Sequence, residues 1–158
     1  MKRPLAFGCI ALAAACGHQQ DLRSDWERQQ EGKLPPAEQA VTLPPYPPRG
    51  ELLEFSTGPT SEFRFFIEAS SLSVADGLVR YVLIARSDSG AQNVSYEGLR
   101  CSSGEVRLYA LGGDGGWRGT PGAWRSPLAW HRELRREYFC SVKYPVYSRD
   151  DALAAFRR

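Results

Sequence analysis

Several features that usually mark a function are missing from this sequence. It has no apolar run of the ~20 residues needed to span a bilayer, and it has no internal repeat. No Cys-x-x-Cys pair is present, so zinc ligands at the usual spacing are lacking. There is no Gly-x-Ser-x-Gly elbow for a serine hydrolase. Beyond the N-terminal stretch histidine is down to one residue, His131. An excess of one charge is lacking too. The formal net charge is +2, and Lys2 and Arg3 supply two of the positives, so the remainder balances to zero. That excludes bulk nucleic-acid binding.

What is present first is an address. Met1-Lys2-Arg3 is a short positive start, residues 5–15 are apolar with Phe7, Ile10 and Leu12, and Ala13-Ala14-Ala15 lead to Cys16. This pattern predicts a secretory signal peptide over residues 1–15. Small residues directly before a cysteine resemble a bacterial lipobox. The resemblance implies that Cys16 is lipidated, becomes the mature N-terminus and tethers the chain to a membrane. The usual box has leucine three residues before the cysteine; here that place holds Ala13, with Leu12 one step further out. The alternative is cleavage after a small residue and release of a soluble periplasmic chain. Gly17 rather than aspartate follows Cys16, and by resemblance to sorted lipoproteins that implies the outer membrane. The expected location is the periplasm, with an N-terminal lipid in the outer membrane.

The four cysteines sort by position. Cys9 leaves with the signal peptide and Cys16 is the anchor site. Cys101 and Cys140 remain, an even pair in an oxidising compartment, and predict one disulfide. It would close a loop of about forty residues, worth ~3–4 kcal/mol in the chain-entropy picture. A nucleophilic or metal-binding cysteine is the competing reading, with His131 the only histidine near it.

Residues 16–50 read as anchor site and linker. They are polar up to Lys33, then hold Pro35-Pro36, Pro44-Pro45 and Pro47-Pro48. Proline favours extended backbone, so the segment predicts a semi-rigid spacer reaching on the order of 100 Å when extended. A proline-rich ligand for a partner is the other possibility.

The domain is expected over residues 51–158. Short strands are predicted at residues 52–55, 63–68, 78–86, 93–101 and 106–111, with a brief extension at 70–74. Phe63, Phe65 and Ile67 alternate with Arg64, Phe66 and Glu68. Asp76-Gly77 signals a tight turn. Val79, Tyr81, Leu83 and Ala85 share one strand face while Val82 and Ile84 occupy the other, which predicts a central strand. Val94 and Tyr96, then Leu99 and Cys101, slip in phase at Gly98, suggesting a β-bulge. Val106, Leu108 and Ala110 are expected on one face. The glycines at 112–116 lack the Gly-Lys-Ser/Thr ending of a phosphate loop and read as a hairpin tip. A helix is predicted over residues 126–140, capped by Ser126 with Pro127 in its first turn. Trp130, Leu134 and Tyr138 form its stripe. Ser148 and Asp151 resemble a capping pair for a last helix. The expected class is α+β: an antiparallel meander of about five strands, one or two C-terminal helices packed on it, and one disulfide.

The chemistry-bearing residues are few. A helix histidine is more often a packing or surface residue, so His131 is not assigned a catalytic role. Glu97 near Arg100 and Glu68 near Arg64 are read as solvated strand residues. No catalytic residue, cofactor site or metal site is predicted. Between residues 117 and 136 stand Trp117, Trp124 and Trp130 with five arginines against Glu133 alone. Aromatics with arginine suit a binding surface, which makes Trp117, Trp124, Arg118, Arg125 and Arg132 the candidate surface. Its partner would be an envelope glycan, anionic lipid headgroup or protein. The competing view has the tryptophans pack a helix on the sheet. The function expected is a binding or structural module of the cell envelope; the alternative is a periplasmic hydrolase acting on envelope polymer.

Three stretches carry a resemblance. They are Phe63-Arg64-Phe65-Phe66, Asp76-Gly77-Leu78-Val79-Arg80-Tyr81, and the run from Ser89-Gly90-Ala91-Gln92-Asn93 through Val94-Ser95-Tyr96-Glu97-Gly98-Leu99-Arg100-Cys101; Tyr138-Phe139-Cys140 adds to them. From about Glu51 to the end the chain resembles the CNP-one-like family, uncharacterised exported proteins of Gram-negative bacteria. The resemblance implies a domain of unknown function and brings no catalytic residues.

Overall fold

The computed structural model describes residues 41–58, 61–119, 122–143 and 145–158. The signal peptide, Cys16 and the linker up to residue 40 lie outside the described residues.

Six strands form one antiparallel sheet in which every strand lies beside its sequence neighbour. They are β1 (Leu52–Phe55), β2 (Phe63–Ala75), β3 (Leu78–Ser87), β4 (Gln92–Arg100), β5 (Val106–Gly113) and β6 (Gly116–Gly119). The sixth strand, beyond the five expected, comes from the glycine cluster: Gly113 pairs with Gly116 and the hairpin runs on to Ala110 opposite Gly119. The Asp76-Gly77 turn forms as its composition requires. Both residues have positive φ, 50° and 71°, the geometry of a two-residue loop that twists with its strands.

β3 is the centre. Tyr81, Val82, Leu83 and Ile84 are all 4% exposed or less, so it is covered on both faces. One face holds Phe65, Ile67, Val79, Leu83 and Leu99 against Leu134, Phe139 and Ala152 of the C-terminal helices. The other face holds Phe66, Val82, Ile84, Val94, Tyr96 and Ala110.

The phase slip at Gly98 has a different cause from a bulge in that strand. β4 pairs with β3 without interruption, from Arg86 opposite Gln92 to Leu78 opposite Arg100. Val94 and Tyr96 therefore face one way, and Glu97 is on the opposite side with Leu99. The apolar residues change faces; the backbone does not. The irregularity lies in β5, where Tyr96 opposes Ala110 but Glu97 opposes Leu108, leaving Tyr109 as the extra residue. It separates Val106, in the helix-side cluster, from Ala110 on the other face, so the single face expected for these residues does not form. Gly98 makes room for that bulge: a Cβ there would stand 2.6 Å from the Tyr109 hydroxyl oxygen.

The spacer reading fails for residues 41–50. Val41 and Tyr46 pack on the second face of the sheet. The Trp117 indole N–H donates to the Pro44 carbonyl at 2.7 Å, and the Tyr46 and Trp117 rings meet edge to face at 4.9 Å. The physical reason is the apolar second face, which needs a cover that the helices, on the other side, do not provide. A proline segment suits the task because it loses little backbone entropy on docking.

The helical cover comprises α1 (Ala129–Glu133), a π-helical turn (Leu134–Phe139) and α2 (Arg149–Ala155). α1 starts later than predicted: its N-cap is Leu128 and not Ser126. Trp130 stacks on Phe65 with ring centroids 5.2 Å apart, Leu134 is buried and Tyr138 packs on Phe55 and Phe156, as the stripe requires. The wider π turn also brings Phe139 to full burial against Tyr81. Cys140 then meets Cys101, with Cα atoms 5.4 Å apart, and the disulfide forms. In α2 the expected pair caps the helix: the Ser148 hydroxyl accepts from the Asp151 N–H at 3.1 Å, and Asp151 Oδ2 accepts from the Ser148 N–H at 2.9 Å. The Ser148 hydroxyl also donates to Asp151 Oδ2 at 2.8 Å; that bond first, then the Tyr147 and Ser148 N–H groups, holds the Asp151 carboxyl below its ordinary range.

Candidate functional site

The helix side of the sheet contains a cluster with acid–base character. Ser95 and Glu97 lie two apart on β4 and share the face of Leu99, so the Glu97 carboxylate points under α1. There Glu97 Oε2 meets His131 Nε2 at 2.8 Å, and Oε1 accepts from the Ser95 hydroxyl at 2.8 Å. Tyr81, directly opposite Glu97 on β3, places its hydroxyl 3.5 Å from Oε2, an outer, weak contact. His131 is 0% exposed and Glu97 5%. Of the two readings open for His131, packing or surface, the structure shows packing, whereas Glu97 is not the solvated residue its strand position suggested.

The tautomer follows from the remaining nitrogen. His131 Nδ1 accepts the Leu128 backbone N–H at 3.0 Å, so Nδ1 carries no proton and Nε2–H donates to the carboxylate. His131, at the third helical position, thereby satisfies the backbone donor of the N-cap residue itself, the role of the third residue in a capping box. Both ring nitrogens are occupied by the protein itself. A general base needs one nitrogen facing a substrate proton, so this histidine has no free position for proton transfer.

Tyr81 reports on the same enclosure. Burial, then the neighbouring Glu97 charge, pushes its phenol well above the ordinary tyrosine range. A group whose folded pKa lies above its unfolded value contributes stability that is complete below the unfolded pKa, roughly 10, and lost as pH rises through the folded value. In a spectrophotometric titration of the seven tyrosines, the Tyr81 phenolate should appear only together with alkaline unfolding, and Tyr81→Phe should remove that step. A Tyr81 signal that ionises reversibly in the folded protein with the exposed tyrosines would contradict the enclosure.

The carboxylates do not converge. Glu97 is on the helix face, whereas Glu68, opposite Val82, is on the other. Glu68 is also buried, 3% exposed, and not solvated as its strand position implied. Its oxygens accept from the Ser70 hydroxyl at 2.6 Å and the Ser71 N–H at 2.7 Å, at an irregular stretch of β2 between Glu68 and Ser73. Arg64 turns instead to Glu54 across the β1–β2 pair, with bonds of 2.8 and 2.6 Å. Among the described residues no three His, Cys, Asp or Glu side chains come together in a metal-holding group.

The expected aromatic–arginine surface separates. Trp117 sits under the proline segment in the second-face cluster. Trp124 is half-buried, with the Arg100 guanidinium 3.9 Å above its ring, a partner not anticipated from the sequence. Arg125 pairs its backbone with Val106 and its side chain is exposed. Arg132 folds back so that Nη1 donates to the Pro127 carbonyl at 3.0 Å. Trp124, Arg125 and Arg132 thus flank the entry to α1, while Arg118 is exposed on β6. Of the other arginines here, Arg136 bonds Glu133 and Glu137, and Arg135 donates to the Cys101 carbonyl. Among the described residues Arg118, Arg125 and Arg132 make no ion pair.

Two features escaped sequence reasoning. The enclosure of Glu97 was legible in the i, i+2 spacing of Ser95, Glu97 and Leu99 once β4 is taken as unbroken. The docking of Tyr46 on Trp117 had no local signal, because it joins residues 71 apart.

No curated protein and no solved structure matches the chain. The family model described as the CNP1-like family matches residues 31–157, which includes the sheet, both helices, the disulfide and the docked proline segment. The chain belongs to the CNP1-like family.

Proposed function

We propose that this domain is a non-catalytic binding module of the bacterial cell envelope, exported by residues 1–15 and tethered through a lipid on Cys16. The observation that carries the binding reading is a set of exposed arginines that make no ion pair among the described residues: Arg125, next in sequence to the Trp124 that stacks with Arg100, Arg132 on α1, and Arg118 on β6. Exposed guanidinium groups beside an aromatic ring suit an anionic envelope partner, acidic glycan or acidic protein. The closed state of His131 and Glu97 argues against the alternative, a hydrolase acting on envelope polymer. The address rests on the charged start, the apolar run and the small residues before Cys16.

The test uses the mature chain with Cys16→Ser, so that lipid insertion does not mask the domain. Its binding to isolated envelopes should weaken as salt is raised, and the double variant Arg125→Glu, Arg132→Glu should bind at least about tenfold less. Equal binding by the variant overturns the assignment of the surface. Intact-mass analysis of the native membrane fraction should find a lipidated chain beginning at Cys16; an unmodified chain starting elsewhere overturns the tether.

A further inference from the structure

On the second face, where the proline segment runs into β1, lies a cleft of about 410 Å³ lined by Pro44 to Gly50, Glu68 and Ser70. Its walls are rigid and apolar: four prolines and the Tyr46 ring. Its one buried charge is Glu68. Hydrogen bonds from Ser70 and Ser71 occupy two positions on that carboxylate, which has about four lone-pair sites in all. Both donors are neutral, and among the described residues Glu68 makes no ion pair. A buried carboxylate without a cation is costly, so the cleft is electrostatically incomplete. Gly50 allows this arrangement, since a Cβ there would collide with Glu68 Oε1.

We propose that this cleft binds an organic cation, an ammonium group carried on an apolar stem. The ammonium donates to the open lone pairs of Glu68, the stem lies along the prolines, and Tyr46 offers an aromatic ring to the charge. Arg49 also lines the cleft; it is exposed and opposes the incoming cation from the rim. The proposal is independent of the arginine surface near α1, and either can fail without the other.

The experiment titrates the full mature chain by calorimetry with cadaverine, Nα-acetyl-lysine amide and uncharged 1-pentanol. At least one charged probe should bind one-to-one, and pentanol should not. Preference between the two charged probes separates a free amine from a lysine side chain as the source. Glu68→Gln keeps the shape and partners for Ser70 and Ser71, and should weaken the charged probe about tenfold or more. Arg49→Ala, at an exposed position that leaves the fold intact, should tighten it about two- to fivefold. The Arg49 variant keeps the proposal testable if Glu68→Gln does not fold. Failure of both charged probes to bind, equal binding by Glu68→Gln, or no gain from Arg49→Ala overturns the proposal.

Discussion

His131→Ala should lower the unfolding free energy by about 3–5 kcal/mol, the range for breaking a buried pair by removing one member. Three losses combine. Glu97 keeps its buried charge with only Ser95 and a distant Tyr81 hydroxyl. The Leu128 N–H loses its acceptor at the start of α1. A cavity opens beneath the helix where the ring was fully enclosed. For a domain of this size the thermal midpoint should fall by roughly 10–20 °C. Glu97→Gln is the informative companion. Its amide oxygen can accept from His131 Nε2–H while its NH2 donates to the Ser95 hydroxyl, so the network survives and the cost should be about 1 kcal/mol. Glu97→Ala, lacking both, should resemble His131→Ala. Chemical denaturation of the four proteins reads all these values. A surface histidine would change stability by no more than ~0.5 kcal/mol, so a small effect of His131→Ala would refute the enclosed pair.

The same node explains what the sequence could and could not tell. Residues whose partners are near in sequence or repeat with a fixed period were readable: the Asp76-Gly77 turn, the doubly apolar β3, the Ser148–Asp151 cap and the Trp130–Leu134–Tyr138 stripe. The disulfide was readable for another reason, since only Cys101 and Cys140 remain in the folded domain. Glu97 was misjudged because a charged residue on a strand is normally solvated, and its partner lies 34 residues away. Ser126 looked like the N-cap because serine is a better cap than leucine; the helix instead starts at Leu128, whose own N–H is held by the histidine at the third helical position. The prolines at 44–48 read as spacer because their chemistry describes an extended backbone and says nothing of what it lies against. Gly98 attracted the bulge because glycine marks bulges, yet its missing side chain serves the neighbouring strand. For the proposed surface the division is similar. Arginine and tryptophan content was visible, but the capture of Trp117 by Tyr46 and of Trp124 by Arg100 depends on which strands become neighbours.

Loss of the Cys101–Cys140 bond should cost about 3–4 kcal/mol, because it closes a loop of 39 residues in the unfolded chain. That loop contains β5, β6, α1 and the π-helical turn, so the bond ties the end of that turn to the end of β4. Other contacts hold the same junction. The Cys101 N–H donates to the Gly77 carbonyl at 2.8 Å, Arg135 donates to the Cys101 carbonyl at 3.3 Å, and Phe139 is fully buried beside them. The Cys101→Ala, Cys140→Ala variant should therefore fold, with a thermal midpoint lower by roughly 10–15 °C. Reductant should lower the wild-type midpoint to a similar value and leave the variant unchanged; a wild-type shift under ~2 °C would refute the staple. Combining the cysteine changes with His131→Ala sharpens the result. His131 and Cys140 anchor the same short stretch of helix to β4, at Glu97 and Cys101. If the stretch leaves the sheet only when the whole domain unfolds, the two costs add. If the unstapled helix detaches locally, His131→Ala adds less than its full cost, and the difference measures that local opening. Hydrogen exchange at Leu128 and Arg132, whose amides bond His131 and the Leu128 carbonyl, distinguishes the cases: exchange faster than the sheet amides marks detachment, and exchange at the sheet rate marks a single cooperative unit.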